Sequence, residues 1–282
     1  MFLEREECVV DGQVLVIGAR GSVGRHVVDQ LSLAGQQVRS SVRNPALADP
    51  PNVVVADLAE SDTLRAALDG VSTVFLYAPT ESATAFVDAA KASGVEHVVL
   101  LSSGSVLLPN AVGNLIAEEH RAVERALAES GLRWTPIRPL VLANNALSWA
   151  GSIRAERVVR LVHPDAVTAP VHERDIAAVA VAAVLNGGEH VSELLTGPEL
   201  LTRRRQVELI GDAIGADVRI EELSEAEARE RFGASEVFDA VLEFINAARA
   251  GGSPATSTAE RVLGRRPASF AEWANDHAAE FR

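Results

Sequence analysis

Short, β-branched apolar runs alternate with amphipathic stretches along the first half of the chain. Residues 14–17, 37–42, 53–56, 73–77, 97–101 and 134–137 read as strands, most of them continuously apolar, as strands buried on both faces are. Between them, residues 22–34 place Val23, Val27 and Leu31 at four-residue spacing, the apolar stripe of a helix. A second helix is predicted over residues 114–130, with Gly131 positioned to end it in a left-handed conformation. Strand and helix in strict alternation predict an α/β fold with a doubly wound parallel sheet.

The second half is less regular. Residues 139–170 read as loop-rich, residues 175–185 as a helix, and the pieces 194–201, 218–223 and 224–232 as short strands and helices of a small lobe. Gly251, Gly252, Ser253 and Pro254 mark a linker, followed by terminal helices over 256–263 and 270–281.

One segment adds chemistry to this pattern. Gly18, Ala19, Arg20, Gly21, Ser22, Val23 and Gly24 form a G-x-x-G-x-x-G loop directly after the first strand and at the opening of the first helix. A tight turn, backbone approach to a pyrophosphate and close helix-to-strand packing each require a missing side chain, and the helix N-terminus offers N–H groups to the anion. The expected ligand is a dinucleotide. NAD-preferring sites present an acid at the end of the second strand, but here the strand ends in Arg39, Ser40, Ser41 and Arg43, with Arg20 inside the loop. Cations and hydroxyls suit a 2′-phosphate, so NADP is expected over NAD. The chain divides on this reading into a leader (1–12), a dinucleotide-binding Rossmann core (13–138) and a mixed region (139–282). The last completes the core and forms a smaller C-terminal substrate lobe with the terminal helices.

Composition narrows the classes further. With 26 Lys and Arg against 39 Asp and Glu in 282 residues, the net charge of −13 leaves no basic field for a nucleic acid; the clusters at 203–205 and 265–266 read as solvated surface. A single cysteine, Cys8, permits no intramolecular disulfide and no thiolate cluster, and no metal site is expected. Glu4, Arg5, Glu6, Glu7 and Asp11 break any signal-peptide core, and no later stretch reads as a membrane span. A cytoplasmic protein with no membrane partner is expected.

Several words then occur in a familiar order: the glycine loop, Val42-Arg-Asn-Pro45, Ala56-Asp-Leu58, Phe75-Leu-Tyr-Ala-Pro79, Leu101-Ser-Ser-Gly104, Thr135-Pro-Ile-Arg-Pro139 and His172-Glu-Arg-Asp-Ile176. In this order the chain resembles the NmrA-like group of atypical short-chain dehydrogenase/reductase proteins, which includes NADPH-dependent quinone reductases and redox-responsive regulators. The resemblance implies that Arg43 meets the adenosine phosphate, that Asp57 and Leu58 line the adenine, that Ala78 and Pro79 run past the ribose, and that Pro139 and Leu140 stand near the nicotinamide. Asp57 is equally readable as a helix-initiating carboxylate ahead of Ser61.

The wider superfamily uses a Ser, a Tyr and a Lys, the last two one helical turn apart. At the matching place this chain has Ile116 and His120, and its only tyrosine is Tyr77. His120 reads either as a packed residue or as a contact to ribose or nicotinamide, and so as the one weak catalytic candidate. Ser102 and Ser103 stand where the triad serine would lie. Without a phenol to protonate an alkoxide, ordinary carbonyl reduction lacks its general acid. The expected function is therefore hydride transfer from NADP(H) to a quinone or other conjugated small acceptor. The alternative is a non-catalytic NAD(P)-sensing regulator with a protein partner; a sugar-nucleotide epimerase is disfavoured by the missing tyrosine. Leu140, Val141, Leu142, Leu147, Trp149 and Phe238 are readable either as the lining of a substrate cavity or as lobe core, and His163 and His172 as acid–base groups.

Overall fold

The computed structural model describes residues 12–49, 51–77, 79–109, 111–188 and 191–282. Most of the expected leader, Cys8 and Ala78 lie outside the described residues. The chain forms two compact units: residues up to 106 with 118–138 and 176–193 make one, and 107–117, 139–175 and 194–282 make the other.

In the first unit, β1 (Gln13–Val16), β2 (Val38–Val42), β3 (Val53–Val55), β4 (Val71–Leu76), β5 (His97–Leu101) and β6 (Arg133–Pro139) run parallel in the order β3-β2-β1-β4-β5-β6. The chain leaves β1 in one direction and returns to β4 on its other side, which makes a topological switch point at the carboxyl ends of β1 and β4. The helices α1 (Ser22–Leu33), α2 (Ser61–Leu68), α3 (Ala83–Ala92) and α4 (Leu115–Ser130) connect these strands. Leu15, Leu64, Leu76, Phe86, Leu100 and Leu127 share one core cluster, and burial on both faces explains the unbroken apolar strands. Arg39 is a fastening of this unit. Its Nη1 donates to the carbonyls of Ala67 (2.8 Å) and Asp69 (2.9 Å) at the end of α2, so it satisfies carbonyls that a helix C-terminus leaves open.

The second unit corrects the loop-rich expectation for 139–170. A 3-10 stretch (Ala143–Trp149) leads into α5 (Ala150–Glu156), then β7 (Val158–Leu161) and β8 (Val167–Thr168). Ala143, Ala146, Ala150 and Ile153 are buried at helical spacing, and Pro139, Pro164 and Pro170 fall outside these elements. There follow α6 (Glu173–Asn186), β9 (Leu194–Leu195), β10 (Leu201–Thr202), α7 (Arg203–Ile214), β11 (Arg219–Glu222), α8 (Glu225–Phe232) and α9 (Glu236–Arg249). β11 pairs with β7, and β10 with β8. Arg203 is not solvated surface as expected: it opens α7, donates to the Val162 carbonyl at 2.6 Å and lies 5.9 Å from the centre of the Trp149 ring. Burial lowers its pKa to about 10, and it stays charged at neutral pH.

The chain closes with α10 (Thr258–Leu263), α11 (Phe270–Asp276) and α12 (Ala278–Phe281), so the expected helix over 270–281 breaks at His277. The break follows a buried cluster. Glu173, fully buried, accepts from Trp273 Nε1 at 3.0 Å and sits 2.6 Å from His277 Nε2. The bond to Glu173 raises the His277 pKa against the opposing effect of burial, so the cluster is a charge-assisted tie between α6 and the chain end. Among the described residues, no helix is long and apolar enough to cross a membrane.

His97 on β5 is fully buried, with Nε2 2.9 Å from Thr135 Oγ1 on β6. Burial first, and the charge of Arg133 second, hold its pKa down to about 4 from the ordinary 6.5. Between those values the unfolded chain takes up a proton that the fold refuses, so stability is lost as pH falls, by up to on the order of 3 kcal/mol. Urea midpoints of the parent chain and His97→Gln across this window test it. The parent should fall more steeply with acid than the variant; parallel curves would remove His97 from the account.

Candidate functional site

The Ile17 N–H donates to the Phe75 carbonyl at 2.9 Å, the last bond before the glycine loop leaves the sheet. Gly18 turns the chain at φ +83°, a conformation glycine adopts without strain. Its carbonyl then accepts the Gly21 N–H at 2.9 Å. A Cβ on Gly24 would lie 2.1 Å from that same Gly18 oxygen, so only glycine lets α1 start this close to the loop. A Cβ on Gly21 would meet only the Gly18 oxygen, at 3.2 Å, and the fold tolerates it with a small adjustment. Gly21 is the N-cap of α1, no side chain caps the helix, and its first turn holds no acid. The opening N–H groups of a helix lack intrahelical partners and favour an anion. Ala19, Val23 and Gly24 are buried beneath the loop, Ser22 is half-buried, and Gly18, Arg20 and Gly21 are exposed. This uncapped, side-chain-free cradle fits a pyrophosphate.

At the end of β2, Arg43 is exposed ahead of a turn in which Asn44 Oδ1 accepts from the Ala46 N–H at 3.0 Å. Among the described residues neither Arg43 nor Arg20 has a side-chain partner. Arg39, near the start of β2, is held at the C-terminal end of α2 that leads into β4 and so lies away from the glycine loop, whereas Arg43 follows the end of β2 and Arg20 sits within the loop. After β3, Asp57 Oδ1 accepts from the Ala59 N–H at 3.0 Å and so shapes its own turn, while Glu60 is the N-cap of α2. Leu58 packs against the core of the unit. Pro79, exposed, starts the turn after β4, and Thr80 Oγ1 donates to the Glu119 carbonyl at 3.1 Å, which ties that turn to the residue preceding His120.

Ser102 is buried, and its Oγ donates to Glu124 Oε1 at 2.6 Å. The same carboxylate takes two bonds from Arg138, 2.8 Å from Nε and 2.7 Å from Nη2. Turning the Ser102 hydroxyl toward a substrate would forfeit a charge-assisted bond of about 1.5–3 kcal/mol, so Ser102 acts as a fastening between β5 and α4. Sequence reasoning missed the Glu124–Arg138 pair; its signal was a glutamate one turn after His120, facing the arginine of the sixth strand. Ser103 Oγ bonds Ser105 Oγ at 2.8 Å. His120 is half-buried; burial lowers its pKa, while Glu119 and Glu124 oppose that shift.

Pro139 and Leu140 belong to the second unit, where the Leu140 N–H donates to the Leu195 carbonyl at 3.0 Å. Leu147 and Trp149 pack against the core of that unit and Phe238 against a smaller cluster. His172 Nε2 lies 3.3 Å from Asp276 Oδ2 and His163 Nε2 3.6 Å from Glu225 Oε1. A cavity of about 250 Å³ in the second unit is lined by Arg174, Arg265, Arg266 and Glu272. Arg265 is not merely solvated there, because it pairs with fully buried Asp175 at 2.6 Å, and Arg174 pairs with Asp276 at 3.2 Å. Two of the three arginines are thus paired with carboxylates.

A family model described as NAD(P)H-binding matches residues 18–187. The chain belongs to the NAD(P)H-binding family. This is the NmrA-like group of atypical short-chain dehydrogenase/reductase proteins. The chain is 37% identical over 280 residues to a (4-alkanoyl-5-oxo-2,5-dihydrofuran-3-yl)methyl phosphate reductase of Streptomyces griseus, covering 95% of this chain and 99% of that one. It is 30% identical over 287 residues to an NAD(P)H azoreductase of Xenophilus azovorans, with the same coverage of each chain. The crystal structure of the NADPH-dependent quinone oxidoreductase of Escherichia coli with NADPH superposes with a TM-score of 0.77 at 25% identity, covering 93% and 99% of the two chains. These three relatives are named as reductases or oxidoreductases, two of them with a nicotinamide cofactor, and the Rossmann-like fold is shared.

Proposed function

We propose that this family member is an NADP(H)-dependent reductase that delivers hydride to a conjugated small acceptor, a quinone or an activated alkene. The observation that carries the reading is the uncapped start of α1 above Gly18 and Gly21. In this proposal the N–H groups of α1 hold the pyrophosphate, and Arg43, with Arg20, meets the 2′-phosphate. The second strand ends without an acid to repel it. Asp57 and Leu58 border the adenine, and Pro79 the ribose. Bound NADPH would supply a hydride.

The side chains along α4 and at Ser102 argue for the acceptor class. α4 carries Ile116 and His120 where the wider superfamily places its tyrosine and lysine, and the only tyrosine is Tyr77. The Ser102 hydroxyl is bound to Glu124. Burial favours the neutral form of His120, which suits a hydrogen bond to a ribose hydroxyl better than release of an acidic proton. α4 offers no phenol to an alkoxide, so an acceptor that spreads the developing charge, with solvent completing protonation, is favoured. An alkanoyl oxodihydrofuran, an azo compound and a quinone, named for the relatives, are all unsaturated compounds that can spread such charge.

Two measurements test this. NADPH should bind more tightly than NADH, and Arg43→Ala should shrink the gap by about 1–3 kcal/mol, the worth of a charge-assisted bond; equal affinities in the parent chain would reject the NADP assignment. With NADPH and a panel of naphthoquinone, an acyl butenolide and cyclohexanone, loss of reduced-nicotinamide absorbance should occur with the first two only. Rapid reduction of the ketone would reveal a general acid that this account lacks. Tight NADPH binding without any turnover would favour a nucleotide-sensing regulator.

A further inference from the structure

The only tyrosine of the chain stands at the switch point. β4 ends in Phe75 and Leu76, which are 1% and 0% exposed, and the next residue, Tyr77, is 55% exposed. The cause is the end of the sheet: Ile17 still bonds the Phe75 carbonyl at 2.9 Å, after which the β1 chain turns away at Gly18. Tyr77 Cβ lies 3.5 Å from the position a Cβ would occupy on Gly18, so the tyrosine springs from the wall facing the first glycine. Among the described residues its hydroxyl has no partner. A large aromatic with a free donor is therefore displayed beside an uncapped helix N-terminus, in the crevice where open α/β sheets take their ligands.

We infer that Tyr77 is a cofactor-contacting residue: its ring covers the stretch of the dinucleotide that crosses Gly18, and its hydroxyl donates to a phosphate or ribose oxygen there. The inference rests on the proposed dinucleotide site and adds a residue to it. An amphipathic ring suits this position, because its face can pack on a sugar while its hydroxyl reaches an anion. The contact is made away from the reacting carbon. It is a uniform binding contribution, one that sets affinity and KM and leaves the turnover rate at saturation unchanged.

The test is calorimetric titration of NADPH into the parent chain, Tyr77→Phe and Tyr77→Ala, each checked by its thermal midpoint. Because the side chain is exposed, midpoints should agree to within about 2 °C. Tyr77→Ala should weaken NADPH about tenfold, and Tyr77→Phe should recover part of that loss through the ring alone. With a substrate in hand, KM for NADPH should rise by a similar factor while kcat stays within about twofold. If the parent binds NADPH and Tyr77→Ala binds it equally well, the assignment of Tyr77 is overturned. If the parent binds no dinucleotide, the proposed site itself falls, whatever the variants do.

Discussion

The close approach of Gly24 to the Gly18 carbonyl is the constraint on which the rest of the site depends. A side chain at residue 24 would sit inside the backbone of the loop, so α1 starts against the end of β1 only because both positions are glycine. That closeness fixes where the helix N-terminus points, and the extended Gly21 cap leaves its N–H groups without a side-chain partner. The same end of the sheet sets the remaining groups of the first unit: Arg43 at the end of β2 and Tyr77 at the end of β4. Each follows directly on a strand end, so the sheet sets where its side chain starts.

Much of the polar chemistry around this crevice is already committed. Ser102 and Arg138 share the Glu124 carboxylate, and Asp57 shapes its own turn. Removing one member of the largely buried Glu124–Arg138 pair would strand its partner, at about 3–5 kcal/mol, which makes that set a fastening rather than a reagent. What stays free is a short set of donors suited to holding an anionic cofactor. On the proposed reading, a site that binds the cofactor but presents no tyrosine from α4 favours acceptors whose electrons can absorb a hydride, the kind of compound for which the quinone, azo and oxodihydrofuran relatives are named.

The fold of the first unit was legible because its strands are buried on both faces and its helices carry a clean apolar stripe; Val23, Val27 and Leu31 are each nearly or wholly buried, as their spacing implies. The glycine loop was legible for a similar reason, since the backbone geometry there excludes most other residues. Less was legible beyond residue 139, where small residues such as Ala143, Ala146 and Ala150 form a core without the large apolar periodicity that announces one. Three successive arginines read as surface, yet Arg203 is held by a carbonyl and an aromatic ring, contacts between residues far apart in sequence. α9 did carry a local signal, Ser235 accepting from the Phe238 N–H at its start. The role of Ser102 was beyond sequence reading because it depends on which partner the fold delivers, whereas Asp57 bonds the N–H two residues on, a local turn of the kind a sequence can signal.

The central claim is that the loop from Gly18 to Gly24 holds the pyrophosphate of NADP(H), and Gly21 separates that claim from folding. A Cβ there meets the protein only at the Gly18 oxygen, 3.2 Å away, and would stand at the mouth of the cradle. Calorimetric titration of NADPH into Gly21→Val should show a folded chain whose affinity has dropped at least about tenfold, a loss of about 1.4 kcal/mol or more. A folded Gly21→Val that binds NADPH as the parent does would contradict the account.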